Sequence, residues 1–215
     1  SEYEFPALTI SKASGNVILG STVLMDGALT LTSGYIDASS FDLQLTSNAT
    51  VSGGSDASHV IGTVVKTTES TASFTFPLGD GTYYKAISVM PSAVTSNVWT
   101  AQYFNTVHPN SVMETVALDH VSAYEYWDLD NGAGLSGKVM IPWVSQNAVL
   151  EYADLRIAHY DGSTDWDMVA STPLGNNTSG AIVSDTWVTD YSPFTIGSTS
   201  ATNVLPITLV SFSGE

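Results

Sequence analysis

The chain has 215 residues, 21 acidic against 5 basic, a net charge of −16 and no cysteine. That charge repels phosphate backbones and anionic bilayers, which makes nucleic acid and acidic membrane surfaces poor partners. The lack of thiols excludes a disulfide framework and thiolate metal sites. Hydrophobic residues reach 43% and charged residues only 12%, so Ser, Thr, Gly and Asn fill the polar positions, as in extracellular β-rich proteins. No apolar run approaches the roughly 20 residues of a membrane helix, so membrane insertion is not expected. Ser1-Glu2-Tyr3-Glu4 has neither a basic n-region nor an apolar h-region, as in a mature or trimmed product. Calcium suits the surplus of carboxylates.

Period-two alternation recurs along the chain and predicts an all-β fold. In the first third it predicts strands at 16–20, 28–32, 41–46 and 59–68. The phrases Asn16-Val17-Ile18-Leu19-Gly20, Ala28-Leu29-Thr30-Leu31-Thr32 and Asp42-Leu43-Gln44-Leu45-Thr46 repeat at a spacing of about 12 to 14 residues. Each has two inward apolar residues and then a turn, which predicts a short β-solenoid-like part over 1–70; a plain series of hairpins is the alternative. Ser52-Gly53-Gly54-Ser55-Asp56 reads as a hinge, and 59–68 as a transitional strand.

Beyond it the strands lengthen and aromatics appear, at 72–77, 83–90, 98–104, 122–129, 138–143, 155–160, 181–185 and 193–197. This predicts an antiparallel β-sandwich over 71–198. Residues 199–215 read as a linker and then the first strand of a following domain, at 207–212. The terminal strands, 3–10 at one end and Leu205, Ile207, Leu209 and Phe212 at the other, are candidates for self-association by strand addition.

Asp128-Leu129-Asp130-Asn131-Gly132 places alternate oxygen ligands before a glycine, so Asp128, Asp130 and Asn131 are a candidate calcium loop. The twelfth position is Val139, which rules out an EF-hand; a polar turn is the alternative. Asp161, Asp165 and Asp167 form a second acidic loop with the same two readings. Gly79-Asp80-Gly81-Thr82 is a tight hairpin turn. His59, His108, His120 and His159 share no metal-binding spacing. Neither Glu125 with Asp128 nor Glu151 with Asp154 gives evidence of a glycosidase cleft, and no hydrolase elbow or nucleotide loop occurs, so no catalytic residue is assigned. Of five tryptophans, Trp127 and Trp143 sit in apolar strands, whereas Trp166 and Trp187 adjoin polar loops and are the candidates for stacking on glycans.

Five phrases, Phe74-Thr75-Phe76-Pro77-Leu78-Gly79-Asp80-Gly81, Glu125-Tyr126-Trp127-Asp128-Leu129, Leu155-Arg156-Ile157-Ala158-His159-Tyr160-Asp161-Gly162, Val188-Thr189-Asp190-Tyr191-Ser192-Pro193-Phe194-Thr195-Ile196-Gly197 and Leu205-Pro206-Ile207-Thr208-Leu209-Val210-Ser211-Phe212, occur in this order. Together they resemble the C-terminal region of secreted Bacteroidetes cell-surface proteins exported by the type IX route. The resemblance implies a bacterial cell-surface location and a non-enzymatic stalk, adhesin or scaffold, with other domains or copies of the same protein as partners. It brings no catalytic residues. A carbohydrate-binding module is the alternative function. A Lys–Asn isopeptide cross-link is compatible with a surface adhesin, but the sequence singles out none of Lys12, Lys66, Lys85 and Lys138 as its amine.

Overall fold

The computed structural model describes residues 3–110, 117–162, 165–203 and 205. In chain order the strands are β1 (Tyr3–Ile18), β2 (Val23–Leu45), β3 (Thr50–Gly53), β4 (Val60–Thr68), β5 (Phe74–Phe76), β6 (Ile87–Pro91), β7 (Asn97–Phe104) and β8 (His120–Val121). They continue as β9 (Tyr126–Asn131), β10 (Gly137–Trp143), β11 (Leu155–Tyr160), β12 (Trp166–Val169), β13 (Ser171–Gly175), β14 (Gly180–Ser184) and β15 (Phe194–Ser198). Two single 3-10 turns, Ser145–Asn147 and Tyr152–Asp154, are the described helical elements. The fold is all-β, with a solenoid-like part of stacked coils and antiparallel sheets.

The first strands stack in parallel. Leu8 pairs with Leu29, and Leu29 with Val51; Val17 pairs with Ile36, and Ile36 with Val60. Each set is a column of apolar side chains filling the coil interior. Within β2, Met25, Leu29, Leu31, Ile36, Ala38, Leu43 and Leu45 are buried, and the alternation resets at each corner. Coils approach closely at the glycines: a Cβ on Gly62, at φ +97°, would lie 2.4 Å from the Ala38 backbone.

These columns correct the repeat expected from the sequence. The phrase at 28–32 lies within β2 and that at 42–46 at its end, on two walls of one coil, and both point into the same interior. The true step, from Leu8 to Leu29 to Val51, is roughly twenty residues. Side-by-side walls resembled each other more than stacked coils did.

β4 joins the two halves of the molecule. One edge pairs in parallel with β2, the other antiparallel with β7. The large sheet then runs β7-β9-β15-β11-β12. A second sheet, ordered β13-β14-β10-β6-β5, is wholly antiparallel. One hydrophobic cluster runs from Met25 and Leu29 in the coils through Val64 to Trp99, Trp127 and Trp143 in the sandwich. The three indoles place their N–H groups on Thr68 Oγ1, the Lys85 carbonyl and the Asn176 carbonyl.

Strands β12 and β13 were not read from the sequence. β12 is a rim strand of the large sheet and β13 of the second; both are mostly exposed, so their residues lack the alternation that burial of one face imposes. The stretch read as a linker is docked. Asn203 accepts from the amides of Leu150 and Glu151 and donates to the Glu151 carbonyl, and Leu205 is buried in the main core. Ile207, Leu209 and Phe212, with the strand predicted around them, lie outside the described residues.

Lys66 occupies an inward position of β4, opposite Leu45. Its ammonium donates to the carbonyls of Thr46, Ser47 and Ala49, at 2.5, 3.3 and 2.7 Å, and closes the corner after β2. Burial pulls its pKa below the usual lysine value. Lys66→Met keeps the stem and strands three carbonyls. It should lower the unfolding free energy by about 1–3 kcal/mol in urea titrations; an unchanged midpoint would show that the corner needs no cation.

Candidate functional site

The open end of the solenoid is the candidate association site. Among the described residues, no strand pairs with the outer edge of β1. Met25, Leu29 and Ile36 in β2 are fully buried, whereas their partners Phe5, Leu8 and Val17 in β1 are only partly covered. Phe5 is 36% exposed. A coil interior is sealed by the next coil or by a polar cap. Here the last layer presents apolar side chains beside an unpaired backbone edge, a surface suited to strand addition.

The predicted ligand sites lie elsewhere. Asp128 and Asp130 belong to β9, opposite Gln102 and Thr100 of β7. Asn131 turns back on its own loop: its amide donates to the Leu135 carbonyl at 2.7 Å, and its Oδ1 accepts from the Ala133 and Leu135 amides. Strand and turn thus hold the three residues read as an ion loop. Burial raises the Asp128 carboxyl above its usual range, against a lowering hydrogen bond from Ser192. Asp161, Asp165 and Asp167 border the β11–β12 hairpin; Asp165 is buried, and its Oδ1 accepts the Trp166 amide at 2.7 Å. Among the described residues, no group of three or more His, Asp or Glu side chains is placed to hold a metal ion.

The two tryptophans named as candidates for glycan stacking, for which core packing was the other reading, part ways. Trp166 is 1% exposed and packs with Leu118, Val121, Ala158 and Tyr160 in a separate small core. Its indole N–H donates to the Asn110 carbonyl, and His108 meets it edge-on at 5.3 Å. Trp166 thus takes the core reading, turned inward from the acidic loop beside it. Trp187 is exposed, with the Lys138 ammonium 5.8 Å from its ring centroid.

Glu125 and Asp128 are three residues apart along one segment. Glu125 is buried, while Asp128 belongs to the half-exposed side of β9, so they do not form a pair across a cleft. Glu125 instead meets groups distant in sequence. Its Oε2 lies 2.7 Å from the Lys85 ammonium and accepts from the Tyr103 hydroxyl at 2.9 Å. Its Oε1 accepts from Asn147 Nδ2 at 2.5 Å, and Thr195 donates to its backbone carbonyl. All five residues are buried. Burial first, and then Glu125, push the Tyr103 phenol pKa upward. The sequence held a faint signal for this cluster: Lys85 and Glu125 are charges inside apolar runs.

His59 couples the third coil to the sandwich. The Gly81 amide donates to its Nε2 at 2.9 Å, so Nδ1 carries the hydrogen facing the Ser55 carbonyl at 3.0 Å. Gly79 sits against the ring, where a Cβ would lie 2.5 Å from His59 Cδ2. The Gly79–Tyr84 bridge and the amides of Thr82 and Tyr83 on Asp80 complete the hairpin turn read from the sequence.

No family model, curated protein or solved structure matches the chain.

Burial lowers the His59 pKa below 6.5, outweighing the Ser55 carbonyl, Asp80 and Asp56. A proton on Nε2 would also break the Gly81 hydrogen bond. With a lowered pKa in the folded state, the unfolded state takes up its proton first on acidification. Stability from this group is therefore complete above 6.5 and declines below it, down to the folded pKa. The melting temperature of the chain should fall below pH 6.5, with a smaller slope in His59→Gln; identical slopes would remove His59 from the pH response.

Proposed function

We propose that the chain is a non-enzymatic structural module of a secreted bacterial cell-surface protein, adding to a neighbour through its open coil end. The observation that carries this reading is the partly covered layer of Phe5, Leu8 and Val17 beside the unpaired edge of β1. The occupant that fits is another β coil, from a neighbouring domain or a second copy, because it continues both the backbone ladder and the apolar columns. The low share of charged residues and the ordered phrases that resemble type IX secretion substrates support a place at the cell surface. Leu205 lies in the chain's own core, so the β1 edge is the better-supported end for association. The glycan-binding alternative keeps one exposed indole, Trp187, and loses Trp166 to the interior.

The test is light scattering of the purified chain over a concentration series. Association that rises with concentration and drops at least tenfold in affinity in Phe5→Glu/Val17→Glu is the expected result. A strict monomer at all concentrations, or association untouched by the double variant, would contradict association through this edge.

A further inference from the structure

We propose that Lys85 and Asn147 become joined by an intramolecular isopeptide bond, with Glu125 carrying the protons. The proposal rests on one buried cluster and is independent of the association reading.

The three groups that amide exchange needs meet at one carboxylate. The nucleophile is the Lys85 amine, with its side chain 5% exposed and its Nζ 2.7 Å from Glu125 Oε2. The electrophile is the Asn147 carboxamide. Its Nδ2 donates to Glu125 Oε1 at 2.5 Å, and its Oδ1 accepts the Val144 backbone N–H at 3.0 Å. One carboxylate thus touches both the nitrogen that attacks and the nitrogen that leaves. The Val144 amide lies on the oxygen that gains negative charge in a tetrahedral intermediate. Tyr103 and Thr195 hold Glu125 in place through its Oε2 and its backbone carbonyl, and Trp127 holds the Lys85 carbonyl. An ion pair alone would need none of the Asn147 geometry.

The step balances without a co-reactant. Glu125 takes a proton from the Lys85 ammonium, and the freed lone pair attacks Asn147 Cγ. The carbonyl electrons move to Oδ1, against the Val144 N–H. The intermediate collapses, the Cγ–Nδ2 bond breaks, and a new Cγ–Nζ amide forms. Two of the three Nζ protons pass through Glu125 to the departing nitrogen, which leaves as ammonium, and Glu125 ends as a carboxylate. Holding amine and carboxamide on one carboxylate takes the place of an activated acyl donor.

The bond has a structural consequence. Lys85 enters β6 and Asn147 follows β10, and these strands are antiparallel neighbours through Ser88–Met140 and Val89–Val139. A covalent link there closes the chain around β6 to β10, constraining the unfolded state as a disulfide would in a chain that has none.

Intact mass of the purified full chain under denaturing conditions is the test. A mass lower than the sequence value by one ammonia, with a branched peptide containing Lys85 and Asn147 after digestion, is expected. Lys85→Ala, Asn147→Ala and the near-isosteric Glu125→Gln should each return the full mass. An unmodified mass of the native sequence overturns the proposal whether or not the variants fold. So does an ammonia loss that maps to a succinimide at Asn131-Gly132, or one that persists in Lys85→Ala. A branched peptide surviving in Glu125→Gln would overturn the role given to Glu125.

Discussion

The double pairing of β4 is the constraint on which the rest of the molecule depends. A strand that is parallel to one neighbour and antiparallel to the other must serve two architectures in one register. Its inward residues meet that demand in order: Val60 and Val64 fill the coil interior, Lys66 closes the coil corner, and Thr68 takes the indole N–H of Trp99. Since strand alternation has period two, a slip of one residue would turn all of these outward at once. The register of the coils and that of the sandwich are therefore set together, and one hydrophobic cluster spans both.

Buried polar groups sit at the joints of this frame. Of 5 basic residues, Lys66 and Lys85 are interior. Lys66 replaces water for three carbonyls at a coil corner. Lys85 shares Glu125 with Tyr103 and Asn147 at one end of the sandwich. Removing Lys85 alone leaves Glu125 as an uncompensated buried charge, a cost of about 3–5 kcal/mol. His59 performs the matching task without charge, between Ser55 and Gly81. At the end coil, by contrast, Phe5, Leu8 and Val17 form an apolar layer that is only partly covered.

Much of the fold was legible because burial of one face writes period two into the sequence. The strands around 59–68, 98–104, 138–143 and 155–160 were read nearly to their ends for that reason. The coil repeat was misread because the walls of β2 share one interior, so a side-to-side likeness hid the step from Leu8 to Leu29 to Val51. β12 and β13 escaped because exposed rim strands carry no alternation. The sites were less legible. The acidic neighbours of Trp166 left both a glycan-stacking and a core reading open, and the indole lies inside with His108 and Tyr160. Lys85, Glu125 and Asn147 are far apart along the chain and form no motif; only folding brings them to one carboxylate.

The shared strand makes a direct claim about cooperativity: the coils built on β2 and β4 and the sandwich open as one unit. Native-state hydrogen exchange of the β2, β4, β7 and β9 amides in low denaturant measures it. The account predicts that the most protected amides of all four strands converge on one opening free energy, and that Val64→Ala lowers them together. A separate, lower-energy opening of β2 and β4, with β7 and β9 still protected, would contradict it.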